Sequence, residues 1–250
     1  MNERYEKVLN FLLYSYFGIE DFEKIENDVK SVKEACAKRA YLDLARTVKY
    51  KYSTKDLENM KKKSSPQKDK DEANDFISNK NERIKTVCKV IVDCVNNDSQ
   101  SIQSSDEFNN WHSTLCETIK NLMNCPIARI LKDGEVFTYG QAQKWINMTL
   151  KYFWLLDLLP TSIKPEYLHV PIDSYIIEAV QSPKDKIEYG LNIKTKLKSD
   201  CWSKMDDGEY KRLQLSIRNG INELVDNDDI CPIEWENKAW IGIAKYKANQ

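Results

Sequence analysis

Apolar side chains recur at three- and four-residue spacing through one segment of this chain after another, and little interrupts them. In "YEKVLNFLLYSYF" the residues Tyr5, Val8, Leu9, Leu12, Leu13 and Tyr16 follow that spacing. "SVKEACAKRAYLDLARTVKY" places Val32, Ala35, Cys36, Ala40, Leu44 and Val48 on one broad face. "NERIKTVCKVIVDCVNN", "EFNNWHSTLCETIKNLMNC" and "GEYKRLQLSIRNGINELVDN" repeat the pattern. A side chain returns to the same face of an α-helix about every 3.6 residues, so the spacing marks helices with an apolar stripe. A many-stranded sheet needs Gly and Pro at its turns, and seven of each in 250 residues leave few places for them. The expected fold class is all-α, without internal repeats and within a single domain over residues 1–250.

Composition narrows the classes. With 41% hydrophobic residues, six Trp and thirteen Tyr, the chain can bury a sizeable core and is not expected to be disordered. A net charge of −1 advertises no global attraction to nucleic acid, although 38 basic residues can still be segregated into a local patch. No segment approaches the roughly 18 consecutive apolar residues of a membrane helix. The start "MNERYEKVLNFLLYSYFGIEDFEK" has acids on both flanks and no small-residue cleavage site, so no secretory signal is expected. Seven scattered cysteines with no CxxC pair argue against a disulfide framework, a structural zinc or an iron–sulfur cluster. Reduced thiols in a cytoplasm, with no cofactor and no metal, are the expectation.

The stretch "NMKKKSSPQKDKDEAND", residues 59–75, is charged and lacks apolar anchors, and is expected to be a flexible loop between helical groups. "LKDGEVFTYGQAQKWINMTLKYFWLLDLLP" is expected to be helix, tight connection and helix, with a turn at Asp133-Gly134 and the second helix ending by Pro160. Lys144 lies in the first turns of that second helix. Asp173 follows 29 residues later in "HVPIDSYIIEAV", where Pro171 precedes it and Asp173 or Ser174 can cap a helix. Taken singly, Lys144 is an ordinary snorkelling lysine and Asp173 an ordinary N-cap.

Together they resemble the helix–hairpin–helix DNA glycosylases. That family carries a hairpin of the form L-P-G-x-G-x-K and a later V-P-V-D segment. Here Gly140 stands four positions before Lys144, and "HVPIDSYI" is similar to the aspartate segment. The 29-residue separation is longer than in the endonuclease III branch and closer to that of the archaeal and other outlying 8-oxoguanine glycosylase-like branches, and the chain resembles bacterial proteins with that fold. The match covers residues 130–180. Ala142 stands where the second hairpin glycine is expected and Tyr139 where the proline is, and no cysteine cluster follows.

The resemblance implies a two-lobed helical bundle with a cleft between lobes, and an enzyme that cleaves the N-glycosidic bond of a damaged or modified base. Asp173 would be the catalytic carboxylate and Lys144 the nucleophile of a combined abasic-site lyase. Lys151, two turns further along, is the competitor for that role. The hairpin residues Gly140, Gln141, Ala142 and Gln143 would offer backbone N–H groups to a DNA phosphate. His169 would orient the aspartate loop or touch phosphate, and Lys194, Lys196 and Lys198 would lie along the DNA backbone. A flipped base would need aromatic walls. Trp111, Trp145, Trp154, Trp235 and Trp240 are the candidates, with Trp111, His112, Trp145 and Trp235 preferred. The expected partner is double-stranded DNA, met by a monomer with no membrane contact. The residues choose neither repair nor defence against modified phage DNA. Two alternatives stand beside the enzyme. One is a non-catalytic helical DNA-binding protein, and the other an interaction protein in which Lys144 and Asp173 are a structural pair.

Overall fold

The computed structural model describes residues 3–194, 201–224 and 230–249. Among them are ten α-helices and no β-strand, so the chain is all-α. In order they are α1 (Glu3–Phe17), α2 (Glu23–Asn27), α3 (Val29–Leu44), α4 (Thr54–Met60), α5 (Gln67–Asn97), α6 (Ser105–Met123), α7 (Tyr139–Leu155), α8 (Ser174–Gln181), α9 (Asp207–Glu223) and α10 (Pro232–Ala248). No helix among the described residues is long and apolar enough to cross a membrane.

Several starts are set by short polar side chains that satisfy first-turn N–H groups. Asp28 caps α3 through Ser31, Ser104 caps α6 through Glu107, and Asp206 caps α9 through Glu209. α10 begins on Pro232, whose missing N–H is no loss at that position.

α7 is the axis of the molecule. It packs along α3 and touches α6 and α9. All residues from Tyr139 to Phe153 are buried. A helix that is covered all round must satisfy every polar group within the protein, and α7 carries five polar or charged residues between Gln143 and Lys151. Its start is a capping box: Gln141 N–H donates to Thr138 Oγ1 at 3.1 Å, and Thr138 N–H donates to Gln141 Oε1 at 3.0 Å. It ends where Asp157 takes a left-handed φ of 56° and Leu158 N–H donates back to Phe153 at 2.7 Å, before Pro160. One contiguous core runs from Leu13 to Ile243. The seven cysteines are free thiols, four of them buried.

Two expectations need correction. Only residues 61–66 of the 59–75 stretch lie outside helix. From Gln67 the chain is already α5, a helix of 31 residues whose core contacts Ala73 and Phe76 come late. The connection before α7 is not tight either. Residues 124–138 are non-helical and are pinned beside residues 49–51 by a bridge between Tyr50 and Leu131. The turn at Asp133-Gly134 is present, with Gly134 at φ 79°. The fifteen residues from 124 to 138 are anchored instead by Asn124, which exchanges hydrogen bonds with both the N–H and C=O of Phe137.

Candidate active site

Lys144 and Asp173 meet. The Lys144 ammonium donates to Asp173 Oδ2 at 2.8 Å and to the Pro171 carbonyl at 3.4 Å. Asp173 is also the N-cap of α8: its Oδ1 accepts from Tyr175 N–H at 2.9 Å and Ile176 N–H at 3.0 Å. Burial alone would raise this carboxyl, but Lys144 and the two backbone donors outweigh it and hold Asp173 below the usual carboxylate range. The capping role and the ion pair are therefore compatible uses of one carboxylate.

The extended segment 168–173 has no strand to pair with among the described residues, and side-chain amides satisfy part of its backbone. Gln214 accepts from Val170 N–H at 3.1 Å and donates to the Val170 carbonyl at 2.6 Å. Gln143 donates to the Ile172 carbonyl at 3.3 Å. Asn147, one turn after Gln143, donates to Gln143 Oε1 at 3.0 Å and to Tyr210 Oη at 2.8 Å. These bonds fix where Asp173 stands relative to α7. A polar pair four residues apart inside an apolar helix was the available sign of this network.

The pair faces an open cavity of about 750 Å³ bounded by α1, α3, α7 and α10. α7 contributes Lys144, Met148, Lys151, Tyr152 and Leu155, which share one helical face. Lys151 does lie on this face, but its ammonium is 2.5 Å from Glu236 Oε2. Burial pushes the Glu236 carboxyl up, and Lys151 only partly offsets it. Glu236 sits inside α10 without the helix-start donors that Asp173 has. Of the two lysines, Lys144 thus has the carboxylate that is better stabilised as an anion.

The proposed base pocket is corrected residue by residue. Trp145 is fully buried and donates its indole N–H to the Ala37 carbonyl at 2.9 Å, so it is core. Trp235 is fully buried and donates to the Tyr189 carbonyl at 3.1 Å. His112 is buried against Asn147 Oδ1 at 2.7 Å, and its pKa is pulled down to about 4 by burial. Trp111 is half-buried beside Phe108, away from the cavity. The tryptophan that lines the cavity is Trp240, 40% exposed and stacked at 5.3 Å on Tyr175.

The phosphate contacts expected of the hairpin are also corrected. Gly140, Gln141, Ala142 and Gln143 are all buried. Gly140 N–H donates to the Met205 carbonyl at 3.0 Å, and Ala142 N–H to the Thr138 carbonyl at 3.1 Å. A Cβ on Gly140 would stand 2.2 Å from the Trp202 carbonyl oxygen, so the glycine serves close packing of residues 202–205 over the helix start. With its N–H groups covered and used, that helix start has no face for phosphate. His169 is buried between Tyr210 Oη at 2.8 Å and Asn109 Oδ1 at 2.7 Å, which makes it a structural histidine of the aspartate segment. Lys194 is exposed, and Lys196 and Lys198 lie outside the described residues.

Sequence reasoning missed Arg39, Asp43, Tyr16, Glu236 and the choice of Trp240, all of which line the cavity. They come from three helices far apart in the chain, and no local spacing links them to Lys144. Comparison with protein-family models, with curated proteins and with solved structures finds no match.

Proposed function

We propose that this chain is a DNA glycosylase that excises a damaged or modified base, with an abasic-site lyase step through Lys144. The observation that carries the proposal is the Lys144–Asp173 pair, 2.8 Å apart and lining one open cavity with an exposed aromatic ring. The cavity between α1, α3, α7 and α10 takes the part of the cleft, and its volume lies in the range that holds a small organic ligand.

The chemistry follows from the two charges. Breaking the bond between base and sugar develops positive charge on the deoxyribose. A fixed carboxylate in a water-poor site stabilises that charge, and Asp173 is such a carboxylate. The Lys144 ammonium gives a proton to the departing base as the C1′–N bond breaks. The resulting neutral amine then attacks C1′, and ring opening yields a Schiff base that permits strand cleavage.

Incubation with duplexes carrying candidate modified bases, followed by borohydride, tests the proposal. A covalent adduct that disappears in Lys144→Ala is the expected result. Base release that survives Lys144→Ala but not Asp173→Asn converts the enzyme to a monofunctional one using water. DNA binding without base release from any duplex overturns the catalytic assignment in favour of a binding protein.

A further inference from the structure

Besides the lysine–aspartate pair, the cavity wall carries a second polar cluster that the chemistry above does not use. Asp43 Oδ1 forms an ion pair with Arg39 Nη1 at 3.0 Å, one helical turn away on α3. Asp43 Oδ2 accepts from the Tyr152 hydroxyl at 2.5 Å, and that hydroxyl is 2.8 Å from the hydroxyl of Tyr16 on α1. The Arg39 guanidinium lies 4.1 Å over the Tyr16 ring. All four residues line the same cavity as Lys144 and Asp173.

Their surroundings are apolar: Leu9, Leu12, Leu13 and Phe17 of α1 and Met148 of α7 border the cavity with them. The Arg39 and Asp43 side chains keep only 21% and 17% exposure. A largely desolvated ion pair is poor value for stability alone, because the desolvation cost rivals the attraction. Burial raises the Asp43 carboxyl above its ordinary range, against the combined pull of Tyr152, Arg39 and the two cavity lysines. Each carboxylate oxygen has two acceptor sites and a guanidinium has five N–H groups, so the bonds named leave capacity on both.

We infer that Arg39 and Asp43 read the hydrogen-bonding edge of the base that enters the cavity. The Asp43 carboxylate takes an N–H of that edge, and the Arg39 guanidinium donates to the neighbouring carbonyl or ring nitrogen. The ligand class is a planar heterocycle with a donor beside an acceptor, and blocking the donor by N-methylation removes its recognition. This rests on the glycosylase assignment, and its test separates the two.

The test compares two reactions of the same protein. Base release needs the edge to be read, whereas a duplex carrying a preformed abasic site has no base. In Asp43→Asn and in Arg39→Met, kcat/KM for base release is expected to fall about 10- to 100-fold, the range for one charged hydrogen bond. Borohydride trapping on the abasic duplex, or binding to it where no adduct forms, is expected to be unchanged. Unchanged base release in both variants overturns the inference, as does a parallel loss on the abasic duplex, which would make the pair a support for the fold. If the wild-type protein releases no base and traps no abasic site, the glycosylase assignment falls by itself. Calorimetric titration with free 2′-deoxynucleosides then decides: binding weakened by Asp43→Asn upholds base reading, and no binding of any nucleoside ends it.

Discussion

Helices α1 and α7 line the same cavity and invert the usual relation between residue type and burial. α1 is rich in Tyr, Leu and Phe, yet Tyr5, Val8, Phe11, Leu12, Tyr14 and Tyr16 are all exposed and only Leu13 is buried. α7 carries two lysines and four polar side chains, yet it is covered along its whole length to Phe153. Burial here follows the position of each helix in the bundle. α7 lies between α3 and α6 with α9 against it, and its charges persist there because each has a partner. α1 has α3 on one side and the cavity on another, so among the described residues much of its apolar surface has nothing to pack on.

The contrast can be tested, beginning with the largest expected effect. Glu236→Gln leaves Lys151 buried without its counter-charge and is expected to cost about 3–5 kcal/mol of unfolding free energy. Adding Lys151→Met to Glu236→Gln should restore most of it, as read by urea unfolding. A single variant as stable as wild type would mean that water reaches this end of α7.

The network behind α7 should make stability depend on pH. His112 titrates at about 4 in the fold against 6.5 in an unfolded chain, because burial disfavours its charged form, and burial likewise holds His169 well below its ordinary value. Between those pH values the unfolded chain binds a proton that the folded chain refuses. Stability is therefore complete above pH 6.5 and falls as pH drops towards 4, by about 3 kcal/mol for His112 alone. Urea midpoints that are equal at about pH 7.5 and about pH 5 would contradict a dry histidine pair.

Asp173→Ala removes the cap of α8 and is expected to cost about 1 kcal/mol through the lost cap, with a further cost from the unpaired Lys144. Asp173→Asn keeps cap geometry and should recover the first part only, in thermal melting. At the small end, Phe11→Ser or Val8→Ser on α1 should change stability by no more than about 0.5 kcal/mol. A cost on α1 comparable to that at Glu236 would erase the distinction between the two helices.

Much of the helical layout was legible in the sequence because it depends on local periodicity and caps. The capping aspartate of α8 and the end of α7 before Pro160 are of this kind. The start of α5 was hidden because "QKDKDEAND" has no apolar stripe of its own and is carried by packing further along the helix. The hairpin glycine was misassigned because a glycine needed for close approach looks the same whether the neighbour is a phosphate or, as at Gly140, the carbonyl of Trp202. The tryptophans were misjudged because an indole serves equally as core and as cavity wall. Only the fold shows that Trp145 and Trp235 are enclosed and Trp240 is open.

By itself the sequence determined the helices that carry an apolar stripe, the cap of α8 and the presence of Lys144 and Asp173 in segments that a helix start can organise. These are matters of spacing within a few residues. The tertiary structure decided that the two side chains stand 2.8 Å apart, that Lys151 is tied to Glu236, and that Arg39 and Asp43 share their cavity. Those facts join residues 29 to about a hundred positions apart, where only the packing of α3, α7 and α10 fixes distance and the water left around each charge.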